Sequence, residues 1–337
     1  MTLQLFDSSS ATARPDAERV LGGFWLGDEA PVAPCPWPLQ RLVTPLLGTE
    51  LSGLDEAWWV ADDAPLLSGE TEGIAWRRCG DLLFGVIEMD EARVVAEPQR
   101  SALQTASEQA YARIFRLLDA QGLPHLWRLW NYMGDINGES GGLERYRQFN
   151  LGRAEAFEGA ARSVVGRVPA ACALGVAGGP LTIAFLAGAT PVLPIENPRQ
   201  VSAFLYPSEY GPRPPTFSRA ALAWPPGQEI LFVSGTASIV GHQTVHPGDV
   251  RAQTVASLDN IAAVLAVASG QSRSGAFALR DLGYRVYVRH AADLEAVRAV
   301  VAARVPDAAA VYLRADVCRA DLLVEIEGQV IRRPLRR

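Results

Sequence analysis

Three groups of residues carry side chains suited to chemistry. ERYRQFNLGRAEAF holds Tyr146, Arg147, Asn150 and Arg153, so two cations and two hydrogen-bonding groups crowd a short, Gly-containing segment. YPSEYGPRPPTFSRA holds Tyr206, Glu209, Tyr210, Arg213 and Arg219 on a proline-rich stretch, and LRADVCRADLLVEIEG holds Arg314, Cys318 and Glu325. In the last of these, strand alternation puts Glu325 and Glu327 on one face. Arginine binds carboxylates through paired hydrogen bonds, tyrosine hydroxyls add neutral donors, and prolines leave such groups little entropy to lose on binding. Each group alone reads as ordinary exposed salt-bridge formers. Together, several Arg, three Tyr and a candidate acid suit a small anionic substrate, which these residues do not name.

Other chemistries lack their signatures. The phosphate loop GxxxxGK[ST], GxGxxG opening a helix and HExxH are all missing, which removes the main support for nucleotide and zinc-protease readings. His242 and His246 are four apart but lie in the turn-rich GHQTVHPG, a polar loop rather than a metal site. Cys35, Cys79, Cys172 and Cys318 are scattered without a CxxC pair, so neither a disulfide framework nor a zinc site is expected, and a reducing cytoplasm fits. A net charge of −6 argues against nucleic acid. The N-terminus has no basic start followed by an apolar core, and no apolar run approaches the roughly 20 residues that span a bilayer, so neither secretion nor a membrane is expected.

The elements that must position these groups follow from periodicity. Residues 1 to about 70 read as short strands joined by turns, EAWWVA among them, with no visible chemistry. A strand is expected over Leu82 to Met89, a helix over Ser101 to Gln121 through Leu103, Ala106, Ala110, Ile114, Leu117 and Leu118, and a strand over Leu126 to Met133. The order then repeats: strand from Glu229 to Ser234, helix from Asp249 to Ser269, strand from Tyr284 to Arg289, helix from Ala292 to Arg304, and strands from Ala309 to Leu313 and Leu322 to Ile326. The predicted class is α/β (α+β), with helices on one face of a mixed sheet, twice over. The expected domains are 1–150 and 151–337. Nine prolines from Pro191 to Pro226 exclude a helix there and predict a rigid connector.

SGTASIVGHQTVHPGDVRAQTVASLDNIAAVLAVAS resembles the Rid/YjgF fold, with its strand ending in Ser-Gly, its Gly-Asp turn and its helix, and the closing VEIE resembles that fold's ending. YRQFNLGRAEAF, FLYPSEYGPRPPTFSRA, SGTASIVGH and VEIEG stand in the order found in the chorismatases, so the chain resembles that family over Tyr146 to Gly328. The resemblance implies two Rid/YjgF-like domains, a divergent one followed by one bearing the catalytic Glu. It implies chorismate as the small-molecule substrate and pyruvate as one product, a redox-neutral reaction for which acid and base groups suffice, so no metal or organic cofactor is expected. A monomer with internally paired domains is the expected assembly. The family's catalytic Glu falls on Glu325, and its substrate-holding positions on Tyr146, Arg153, Tyr206, Arg213 and Arg314. Gly235 and Cys318, seven residues before the Glu, resemble members that make 3-hydroxybenzoate, with Cys318 beside the reacting ring and Gly235 leaving space there. The alternatives are a mixture of 3- and 4-hydroxybenzoate, hydrolysis to a dihydroxy-cyclohexadiene carboxylate, or a metabolite-binding protein without activity.

Overall fold

The computed structural model describes residues 2–7, 15–31, 33–62, 64–95 and 98–335. Its first 60 residues form a four-stranded sheet from β1 (Leu3–Asp7), β2 (Val20–Gly27), β3 (Leu39–Val43) and β4 (Gly53–Val60), ordered β1-β4-β2-β3. A second sheet follows from β5 (Leu67–Thr71), β6 (Ile74–Cys79), β7 (Leu82–Met89), β8 (His125–Gly134), β11 (Ala170–Val176) and β12 (Leu181–Gly188). The hairpin β9 (Glu139–Ser140) and β10 (Leu143–Glu144) interrupts it. The third sheet comprises β13 (Leu193–Ile195), β14 (Ala220–Ala223), β15 (Glu229–Ala237), β18 (Gly283–Val288), β19 (Ala310–Arg314) and β21 (Val324–Arg332). The hairpin β16 (Ile239–Val240) and β17 (Gln243–Thr244) follows β15, and β20 (Asp316–Val317) crosses back to pair with β11.

The second and third sheets have one topology. The order β11-β8-β12-β7-β6-β5 is matched by β19-β18-β21-β15-β14-β13. In each, the sole parallel pair among these strands, β8 with β11 and β18 with β19, lies at the same end. The repeat seen in the sequence as a succession of elements is therefore a repeat of pairing as well.

Helices cover one face of each sheet. Helix α1 (Ala102–Gln121) begins where the Ser101 side chain accepts from the Gln104 N–H at 3.0 Å and ends at Gly122, whose φ of 66° is left-handed. Its apolar stripe, Leu103, Ala106, Ala110, Ile114, Leu117 and Leu118, is buried on the second sheet. Helix α2 (Arg145–Gly159) was not expected from the sequence, because its buried face mixes Gln148, Asn150 and Arg153 with Phe149 and Phe157. It crosses α1 so closely that a Cβ on Gly152 would stand 2.0 Å from the Gln104 carbonyl oxygen. Helices α3 (Val250–Ser269) and α4 (Leu294–Arg304) cover the third sheet. By length and composition α3 could cross a bilayer, contrary to the expectation that no run is long enough. Its buried face, with Leu258, Ile261, Val264 and Leu265, packs instead on the third sheet.

The two helix-free faces meet, giving a helix, sheet, sheet, helix order closed at one side by the first sheet. Phe84, Trp130, Tyr132 and Ala184 of the second sheet share this core with Phe232 and Tyr287 of the third and with Phe24 and Trp58 of the first. Trp130 stands 5.0 Å from Phe24, and Trp58 stands 5.9 Å from Phe232, centroid to centroid.

Two expectations need correction. Residue 150 falls inside α2, and the strands that complete the second sheet, β11 and the central β12, come after it. The change of sheet therefore lies between Gly188 and Leu193. The proline-rich connector is also not wholly irregular: β13 and β14 within it are the first two strands of the third sheet, tolerated because Pro194 sits at the sheet's edge.

Candidate active site

A cavity of about 270 Å³ opens where β11, β15 and β21 meet α2 and the proline-rich connector. Three devices shape it. First, β15 bulges: Val233 pairs with Gly328 and Thr236 with Ile326, so Ser234 and Gly235 together face the single residue Glu327. Second, the Ser234 hydroxyl accepts from the Ala171 N–H at 2.9 Å and donates to the Ser218 carbonyl at 2.6 Å, tying β15 to β11 and to the connector. Third, the pairing of β20 with Leu174 and Gly175 brings the following residue, Cys318, to the cavity wall.

On α2, Tyr146, Asn150 and Arg153 are spaced as one helical face, and Tyr146 and Arg153 line the cavity. Arg153 is 1% exposed, donates to Asn150 Oδ1 at 2.7 Å and lies over the Phe149 ring. From the connector, Arg219 donates to the Tyr206 hydroxyl at 2.8 Å and to the Val201 carbonyl. Arg319 donates to the His242 carbonyl at 2.9 Å and lies 3.9 Å over the Tyr210 ring. Among the described residues none of these three guanidiniums makes an ion pair. The chain contains no lysine, so every side-chain cation is an arginine and keeps its charge when buried. Of the four arginines lining the cavity, Arg147 is paired with Glu144, and Glu209 stands beside His242, so Arg153, Arg219 and Arg319 with the Tyr146, Tyr206 and Tyr210 hydroxyls remain to face an anion with more than one acidic group.

Glu325 is a buried carboxyl in this setting. It is 4% exposed, on the face of β21 turned away from α3 and α4. Burial, then the nearby negative charge of Glu327, pushes its carboxyl up to about 8, against the opposing pull of Arg128 and Arg219. At neutral pH it therefore holds a proton. Gly235 makes room for it, since a Cβ there would stand 1.9 Å from Glu325 Oε1. The space beside Gly235 is taken by this carboxyl. Burial, then the charge of Glu325, pushes the Cys318 thiol up to about 12, so it stays a neutral thiol.

Of the residues expected at the site, Tyr146, Arg153, Tyr206, Gly235, Cys318 and Glu325 share this cavity. Arg213 and Arg314 do not. Arg213 is exposed and pairs with Glu158 at 2.9 Å, and Arg314 points to solvent from β19, where the alternation buries Leu313 instead. Arg219, Tyr210 and Arg319 take part without having been singled out as site residues. The first two stood in the connector cluster, and Arg319 follows Cys318 directly, but nothing in the local pattern separates them from Arg213 and Arg314.

A family model described as "Chorismatase FkbO/Hyg5-like, N-terminal" matches residues 56–187. A protein named chorismatase from Streptomyces rapamycinicus is 45% identical over 285 residues, covering 82% of this chain and 81% of that protein. One from Streptomyces hygroscopicus named 3-hydroxybenzoate synthase is 42% identical over 287 residues, 81% of this chain and 80% of that one. A crystal structure of a chorismatase superposes with a TM-score of 0.84 at 36% identity, covering 98% of each chain.

The raised carboxyl fixes a sign for stability. Below pH 4.5 Glu325 is protonated whether the chain is folded or not; as pH rises toward 8 the unfolded chain releases the proton first, so folding loses free energy at about 1.4 kcal/mol per pH unit and then levels off. Glu325→Gln lacks this loss. Denaturant unfolding of both proteins from pH 4.5 to 8.5 is expected to show the variant gaining on the parent across that window. A constant difference would mean that Glu325 titrates normally.

Proposed function

The chain belongs to the chorismatase family, and on that premise we propose that this enzyme, which acts on chorismate, is a 3-hydroxybenzoate synthase with Glu325 as its proton donor. The observation that carries the reading is a buried carboxyl held near pH 8 in a cavity with three unpaired guanidiniums. Chorismate has two carboxylates and an enol ether, so its enzyme must hold two anions while giving a proton to carbon. Arg153 with Tyr146, and Arg219 and Arg319 with Tyr206, are assigned to the carboxylates. An ordinary glutamic acid would be ionised at neutral pH and unable to donate; Glu325 is not, and a bound carboxylate nearby would raise it further.

Glu325 protonates the terminal methylene carbon, and the enol ether becomes an oxocarbenium ion. The ring 4-hydroxyl oxygen then attacks the neighbouring ring carbon as the C–O bond to the side chain breaks, releasing pyruvate and leaving an epoxide whose oxygen still carries the hydroxyl proton. The epoxide opens at the far carbon, the oxygen keeps that proton as the 3-hydroxyl, and the ring C–H proton passes to the Glu325 carboxylate, which restores the acid. No water is consumed and no electrons leave, because chorismate has the composition of 3-hydroxybenzoate plus pyruvate. Cys318, as a neutral thiol, is assigned to the wall beside the ring, where it can donate a weak hydrogen bond but not act as a thiolate. Support for the 3-hydroxy product comes from the relative bearing that name and from the resemblance of Gly235 and Cys318 to the residues of family members that make it. We also place the protein in the cytoplasm, as a monomer whose two sheets pair within one chain.

Incubation with chorismate, followed by a pyruvate assay and chromatography with NMR of the ring product, tests the reading. One 3-hydroxybenzoate per pyruvate is expected, and no pyruvate from Glu325→Gln. A diene diol or 4-hydroxybenzoate as the main product would overturn the product, and turnover by the variant would overturn the acid. Gly235→Ala, whose methyl would displace the Glu325 carboxyl, is expected to lower kcat at least about tenfold while KM changes little, since the carboxylate-binding arginines are untouched. Wild-type kcat in that variant would show that Glu325 need not occupy its observed position.

A further inference from the structure

Behind Glu325 lies a buried chain of charges that runs out of the site into the first sheet. Glu327, two residues along β21, receives hydrogen bonds from Arg128 of β8, from Arg285 of β18 at 3.4 Å and from the Tyr287 hydroxyl at 3.1 Å. That hydroxyl lies 2.6 Å from the Tyr132 hydroxyl. Arg285 is turned mainly the other way, donating from Nε to both oxygens of Glu56 at 3.1 and 3.0 Å, with its guanidinium 4.1 Å over the Phe24 ring. Glu56, Arg128, Arg285 and Glu327 are each 5% exposed or less. Two positive and two negative charges thus balance in a place that water does not screen.

We propose that Glu56, on the sheet formed by the first 60 residues, is a positioning residue for the reaction: by occupying Arg285 it leaves Glu327 with charge enough to keep the adjacent Glu325 in its proton-donating form. This rests on the reading of Glu325 as the acid. The groups facing Glu325 are Glu327 from its own strand, Arg128 from β8, Arg219 from the connector, Cys172 from β11, Cys318 after β20 and Tyr146 from α2. The cysteines and the tyrosine are held neutral by burial, so the balance falls to Glu327 against the arginines. Removing the Glu56 charge gives the cluster a net positive charge and frees Arg285 for Glu327; removing the Arg285 charge does the reverse.

The test is the alkaline limb of the pH profile of kcat/KM for pyruvate release. Glu56→Gln is expected to move it about one pH unit or more toward acid, Arg285→Met toward alkali, and the double variant back near the parent, since it removes one charge of each sign. That pattern of signs differs from structural damage, which would lower activity at all pH values and add up in the double variant. A folded Glu56→Gln protein with an unmoved limb would overturn the proposal. If that variant does not fold, the comparison of Arg285→Met with the double variant decides in its place, and coincident limbs overturn the proposal. The parallel assay of Glu325→Gln separates the two readings: turnover there removes the acid itself, whereas a dead Glu325→Gln with an unmoved Glu56→Gln limb removes only the role of Glu56.

Discussion

Two carboxyl groups two residues apart on β21 point between two sheets, where both are nearly buried. Both could not ionise there without help, and the surroundings treat them differently. Glu327 is matched by two arginines and a tyrosine hydroxyl, while Glu325 faces an open cavity and a gap left by a glycine. The pair is thus divided into a carboxylate and a carboxylic acid, the arrangement in which one of two neighbouring groups keeps its proton. A cluster of this kind adds little stability compared with apolar packing.

The rest of the molecule supplies what that division requires. Duplicated topology lets two helix-free sheet faces meet and exclude water. The bulge in β15 sets Gly235 against the acid, and β20, by leaving the third sheet for the second, completes the wall with Cys318. The first sheet closes the remaining side and contributes Glu56. With no lysine in the chain, no cation in this interior can lose its proton to relieve a mismatch, so the carboxyls must absorb it.

Legibility in the sequence followed the range of the interactions. Strand Leu82–Met89 and helices α1 and α3 were readable because their apolar periodicity and caps are local. Helix α2 was not, since Gln148, Asn150 and Arg153 interrupt the apolar pattern of its inward face, and β13 and β14 were hidden by the prolines around them. Glu325 could be found from its apolar strand and the family motif. Choosing Arg219 and Arg319 over Arg213 and Arg314 depended on which way each side chain turns, which tertiary packing decides. Glu56 was invisible for the same reason: its partner, Arg285, is 229 positions away.

The central claim is that Glu325 carries a proton at neutral pH in the resting protein. Infrared spectroscopy reads this directly, through the carboxylic C=O stretch that is present in the parent and absent from Glu325→Gln at the same pH. The band is expected to persist through pH 7 and to fade with a midpoint near 8. A band already lost between pH 4 and 5 would contradict the account, because an ionised Glu325 could not begin the reaction assigned to it.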